Sequence, residues 1–283
     1  MKQTQDNSRH HQVFLLTLIG LLIFRIPFQG GMGFFNVKWE WTVPIYQIGT
    51  YLLTAFLIWW EIDNLAEYHI DSLALIIIVM FKPIQTLVLR YWGIEGNPLT
   101  FPSIPSLIIW VIAIVFTVGM WSKRSKLSEI KPISVYWFVV GILAGLATSI
   151  VLSFPGSFQL SLVDGLSIKE ILGQIPSSIP YQIGYAAVSE EPLFRGFLWG
   201  YLRKLKWREI WIWLFQAGLF TFSHIYYLNK FPISLWIIVP VCSLVLGWLV
   251  WRSRTIVSSM MAHGMMNATG YAFDYLMMLY RLG

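Results

Sequence analysis

Nine apolar stretches, each about 20 residues long, divide this chain from end to end, and a helix of that length matches the hydrocarbon thickness of a bilayer. They cover residues 13–29, 43–60, 73–90, 104–121, 134–154, 178–202, 209–227, 232–251 and 256–279. Backbone in lipid must satisfy its own hydrogen bonds, so the expected fold is an all-α, polytopic transmembrane helical bundle. The stretch 73–90 is interrupted by Lys82-Pro83. A proline in mid-helix removes a donor and kinks the helix, so this stretch reads as a span or as a broken or re-entrant helix, and the count is eight to nine spans.

Composition excludes a water-soluble globule. The chain is 57% hydrophobic and 12% charged, against roughly 25% charged in ordinary soluble domains, and it cannot hide that much apolar surface in one core. Aromatic residues gather at the ends of apolar runs, as at Trp59-Trp60, Tyr91-Trp92 and Trp248 to Trp251, where aromatic belts meet the membrane interface. The single cysteine, Cys242, lies inside an apolar run and supports neither a disulfide framework nor a cysteine metal site.

A formal charge of +6 raises the question of nucleic acid, but the basic residues collect in short loops between apolar runs rather than on one soluble face. That is the positive-inside pattern, and no nucleic-acid partner is expected. With nine spans and a cytoplasmic N-terminus, the inside loops hold Lys2, Arg9, Lys123, Arg124, Lys126, Lys131, Arg203, Lys204, Lys206, Arg208, Arg252 and Arg254. The outside loops hold only Lys38, Arg90, Lys169, Lys230 and Arg281. The loop from Glu61 to Asp71 carries four acids and no Lys or Arg, so orientation rests on the C-terminal half. The N-terminus resembles a signal sequence, with Lys2 and Arg9 before an apolar run, but Arg25-Ile26-Pro27-Phe28 offers no small-residue cleavage site, and an uncleaved first span is expected. Within the polar segment 155–177, Ile168, Ile171, Leu172 and Ile175 follow helical spacing and suit a short interfacial helix.

Three of the last four apolar stretches carry polar signatures. They are Glu190-Glu191-Pro192-Leu193-Phe194-Arg195, Phe220-Thr221-Phe222-Ser223-His224 and His263-Gly264-Met265-Met266-Asn267. A charged side chain at membrane depth costs about 2.5 to 3.5 kcal/mol on insertion scales, so such residues are functional candidates by default. Glu191 and Arg195 are four apart and share a helix face, which lets them pair, while Glu190 points about 100° away. Pro192 disfavours helical geometry at Glu191, so a distortion is expected at the two acids. A structural reading exists for each signature: an ion-pair network for the acids and Arg195, a hydrogen-bonded core histidine for His224, and a polar helix contact for His263 and Asn267, whose neighbours Ala262, Gly264 and Ala268 permit close approach. Their fall in three of the last four stretches favours function.

The ordered set Glu-Glu-x-x-x-Arg, Phe-x-x-x-His, His-x-x-x-Asn resembles the CAAX prenyl protease and bacteriocin-processing family of intramembrane endopeptidases, also called the Abi family. The resemblance covers residues 134–275 and divides the chain into an N-terminal part, 1–130, without a family motif, and a catalytic helical core, 131–283. It implies that Glu190 is the catalytic carboxylate and that His224 orients and activates a water. His263 and Asn267 would stabilise the tetrahedral oxyanion, with Glu191 and Arg195 in support. The chemistry suits the residue types, because a carboxylate withdrawn from water becomes a better general base and imidazole or carboxamide donors can face a developing oxyanion.

A metalloprotease reading uses the same residues differently. Glu190, His224 and His263 would supply three ligands to zinc or another divalent ion, with one position open to water and Asn267 as a weaker partner. No His-Glu-x-x-His helix is present, and the sequence leaves metal and metal-free mechanisms both open. The expected function is hydrolysis of peptide bonds at or near the membrane, on a peptide or protein substrate with or without a prenyl group. The alternatives are a catalytically silent membrane scaffold, a bacteriocin self-immunity protein, or a transporter, although the halves show no inverted repeat.

Overall fold

The structure is a computed structural model and describes residues 11–12, 14–20, 22–23, 39–94, 96–123, 135–161 and 167–282. All regular structure among them is helical, as expected. Ten α-helices follow in order: α1 Trp39–Trp60, α2 Ser72–Tyr91, α3 Ile104–Ser122, α4 Val135–Gly156, α5 Ile168–Gln182, α6 Val188–Glu191, α7 Trp199–Lys204, α8 Glu209–Phe222, α9 Val239–Ser253 and α10 Ile256–Leu282. The first expected span falls only partly within the described residues. The N-terminal Lys2 and Arg9 and the basic segment 124–134 lie outside them.

Among the described residues, five helices are long and apolar enough to cross a membrane: Trp41–Trp60, Ser72–Tyr91, Ile104–Ser122, Val135–Gln159 and Ser234–Ser253. This is fewer than the eight to nine spans expected from the sequence. Three of the stretches that do not qualify are nonetheless helical. One carries Glu190, Glu191 and Arg195, another, Glu209–Phe222, has 14 residues, and the last carries His263 and Asn267. Polar side chains that build the site dilute the apolarity of the helices that hold them.

The proline at 83 does not break its helix. Pro83 is buried within a continuous α2, and Lys82 beside it is fully buried. Prolines are tolerated in membrane helices where neighbouring elements surround them.

The helix expected at 168–175 begins at a capping box. The Ser167 side chain accepts from the Glu170 backbone while the Glu170 carboxylate accepts from Ser167. From there helical backbone continues to Lys204, through α5, a π-helical segment Ile183–Ala187, α6, a second π-helical segment Pro192–Leu198 and α7. The two acids therefore sit on one α-helical turn between two widened ones, which is the distortion that Pro192 foretells. Such π insertions recur at functional sites.

Close helix packing fixes where this element lies. A methyl group at Gly141 or Gly145 of α4 would collide with the Ser258 and Ala262 carbonyls of α10, and one at Gly264 would strike Ile183. Small residues four apart let these backbones approach, as in many membrane helix pairs.

The two ends of the bundle are distinct. At one end, Lys204 pairs with Glu61 at 3.5 Å and Glu67 at 3.2 Å, while Glu209 pairs with Arg203 at 3.0 Å and Arg254 at 2.8 Å. At the other end Trp92 donates to Ser177 at 2.8 Å and Arg281 to Ser157 at 2.9 Å. The acids of the 61–71 loop thus face the basic segments after α7 and α9.

Candidate active site

A cavity of about 580 Å³ opens between the long bent helix, α8, α9 and α10, and Glu190, His224, His263 and Asn267 all line it. Glu190, His224 and His263 are buried, while Asn267 is exposed along the cavity wall. Four side chains from three separate signatures thus share one space.

Glu191 does not line that space. It is fully buried and binds Arg195 Nη1 at 3.1 Å, as the four-residue spacing predicts. It also accepts from His263 Nδ1 at 2.7 Å, a partner that the sequence did not reveal. With Nδ1–H directed to a carboxylate, His263 presents Nε2 toward Glu190, whose Oε2 lies 3.9 Å away. Arg195 in turn donates to Ser243 Oγ at 2.8 Å and lies 4.2 Å over the Phe220 ring. An apolar-looking stretch, α9, therefore contributes a polar anchor at Ser243, whose only sequence signal is a hydroxyl in an aliphatic run.

The spacing of Phe220 and His224 has a backbone cause. Helix α8 ends at Phe222, and the last four carbonyls of a helix lack intrahelical partners. His224 Nδ1 donates to the Phe220 carbonyl at 2.8 Å, which caps the helix and fixes the ring. The neutral imidazole then carries its acceptor lone pair on Nε2. The Phe220 ring lies 4.6 Å from His224 and 6.0 Å from His263, so one aromatic side chain separates and supports both imidazoles.

Among the described residues, no three His, Cys, Asp or Glu side chains come together in a way that could hold a metal ion. Glu190, His224 and His263 share the cavity, with Glu190 Oε2 3.9 Å from His263 Nε2.

Sequence reasoning also missed Lys82, Gln47 and Ser189, which meet beside the site. Lys82 Nζ contacts Ser189 Oγ at 2.6 Å, the Gly184 carbonyl at 3.2 Å and the Gln47 side-chain oxygen. The only signal for Lys82 was a lysine in an apolar run, where it was read as an interruption.

Comparison with curated proteins gave no match, and neither did comparison with solved structures. Comparison with protein families gave one over residues 174–269, described as type II CAAX prenyl endopeptidase Rce1-like, and that range contains all three signatures. It begins within α5 and ends within α10, enclosing the cavity walls described above. The chain thus carries, over residues 174–269, an Rce1-like domain of the type II CAAX prenyl endopeptidase family.

Proposed function

We propose that this protein is a multi-pass intramembrane endopeptidase that hydrolyses a peptide bond with a water activated by Glu190 and His224. The observation that carries this reading is the convergence of Glu190, His224, His263 and Asn267 on one cavity inside the family-matched region. Glu190 takes a proton from water, and the hydroxide adds to the scissile carbonyl. His224 Nε2 accepts from the water and orients it, Asn267 donates its amide N–H to the oxyanion that forms, as does His263 from Nε2 when both its ring nitrogens carry protons, and Glu190 passes the proton it took from water to the leaving amine as the carbon–nitrogen bond breaks. Glu191 orients the His263 ring through Nδ1, and Arg195 balances the charge of Glu191 where water is scarce.

The substrate class is a peptide or protein segment that reaches the membrane, prenylated or not. The acidic and basic loop ends, together with the apolar helices, suit a multi-pass protein whose N-terminus and 203–208 loop face the cytoplasm. The test is to incubate detergent-purified protein with lipidated and unlipidated C-terminal peptides, with and without a strong chelator. Cleavage that survives chelation is expected. No cleavage of any peptide would contradict the reading, and cleavage that is lost on chelation and restored by zinc would replace the side-chain mechanism with a metal one.

A further inference from the structure

A fully buried lysine in a membrane helix needs a reason, since its ammonium is costly there unless paired and hydrogen-bonded. Lys82 belongs to α2, in the part of the chain without a family motif, yet it reaches the turn that bears Glu190. The hydrogen bonds around it have a definite direction. Gln47 donates its amide to the Tyr185 carbonyl at 3.2 Å and so turns its oxygen to Lys82. Ser189 donates its hydroxyl to the same carbonyl at 2.8 Å and so presents lone pairs. The Gly184 carbonyl can only accept.

Three acceptors therefore surround Nζ, which matches the three donors of an ammonium and not the two donors and one acceptor of a neutral amine. The acceptors are themselves neutral. A charge is one residue away, because Glu190 follows Ser189, whose Oγ lies 2.6 Å from Lys82 Nζ. Close approach is built in, because a methyl group at Gly184 would collide with the Phe81 carbonyl next to Lys82.

We propose that Lys82 is a positioning residue for Glu190: its ammonium is the countercharge of that carboxylate and, through Ser189 and Gly184, it fixes the turn that aims Glu190 into the cavity. The idea rests on the assignment of Glu190 as the base. It gives α1 and α2 a part in the chemistry, since both helices hold the lysine. A mere packing role would need the hydrogen bonds but not the charge.

The experiment is a thermal double-mutant cycle on the full-length purified protein with Lys82→Gln, Glu190→Gln and the double variant, joined to turnover assays of Lys82→Gln. Glutamine keeps hydrogen-bonding capacity and removes charge. The loss of thermal midpoint in the double variant is expected to fall short of the sum of the single losses by about 2 to 4 °C. The kcat of Lys82→Gln is expected to drop on the order of 10- to 100-fold with KM unchanged. Ser177→Ala, which breaks the separate Trp92–Ser177 bond between the same two helices, should retain turnover. Additive midpoints would overturn the pairing, and wild-type turnover in Lys82→Gln would overturn the positioning role. If Lys82→Gln is not recovered folded, Lys82→Met takes its place in the cycle. Wild-type turnover in Glu190→Gln would instead remove the reading of the reaction, while the thermal cycle still decides whether the two charges are paired.

Discussion

His263 Nδ1 lies 2.7 Å from Glu191 Oε1, a contact that spans 72 residues of sequence and joins two of the three signatures directly. The same oxygen accepts from Arg195 at 3.1 Å. One buried carboxylate thus fixes the imidazole and the guanidinium together, which explains why Glu191 follows Glu190 without lining the cavity. The adjacent acids point apart, Glu190 facing the cavity and Glu191 facing His263 and Arg195.

Glu191→Gln should therefore act on stability as well as turnover. Removing one member of a buried pair costs about 3 to 5 kcal/mol, because the other charge is left without compensation. The purified variant should show a clearly lowered thermal midpoint, and Glu191→Gln/Arg195→Met should recover part of it. An unchanged midpoint in Glu191→Gln would contradict the buried pair.

The bundle and the site were legible to different degrees, for physical reasons. Apolar stretches of helical length are written in composition, and the Glu191–Arg195 pair follows from four-residue spacing on one helix. The distortion near Pro192 was legible because a missing donor has local consequences. Contacts between helices were not. Nothing in the spacing places His263 against Glu191 or Lys82 against Ser189, since these depend on how α2 and α10 pack on the bent helix. Pro83 misled in the opposite direction, as buried surroundings support a helix that local rules would break.

Stability should fall in mild acid because of His69, which lies in the loop before α2. Burial, and then the charges of Arg203 and Arg254, push its imidazole down from the ordinary 6.5 to about 3. Arg203 Nη2 donates to Nε2 at 2.6 Å, a bond only the neutral ring can accept. The unfolded chain binds this proton near its ordinary value and the folded one does not, so the contribution is complete above 6.5 and is lost as pH falls from 6.5 toward about 3. Thermal midpoints taken between pH 7 and 5 should decline in the wild type and decline less in His69→Gln. Parallel profiles would remove His69 from the account.

The two ends of the bundle define sidedness. In a Cys242→Ser background, single cysteines at Ser125 and Ser253 should react with an impermeant reagent only from the cytoplasmic side, and one at Asn229 only from the opposite side. The last two flank helix α9 and its π-helical lead, so they must differ if that segment spans. Labelling of Ser253 and Asn229 from the same side would break the topology.

Asn267 stands on the cavity wall one helical turn after His263. As an oxyanion donor it should matter only in the transition state. Asn267→Ala is expected to lower kcat roughly 10²- to 10³-fold with little change in KM. Equal turnover in Asn267→Ala and wild type would rule out that role.

Hydrolysis by Glu190→Gln tests the central claim most directly. The substitution keeps size and hydrogen-bonding capacity and removes the base from the cavity that Glu190 lines. Turnover per molecule should be measured on membrane-extracted protein of confirmed monodispersity, against whichever peptide the wild type cleaves. The account predicts that cleavage disappears while the protein remains folded in the membrane, and wild-type turnover in Glu190→Gln would contradict it.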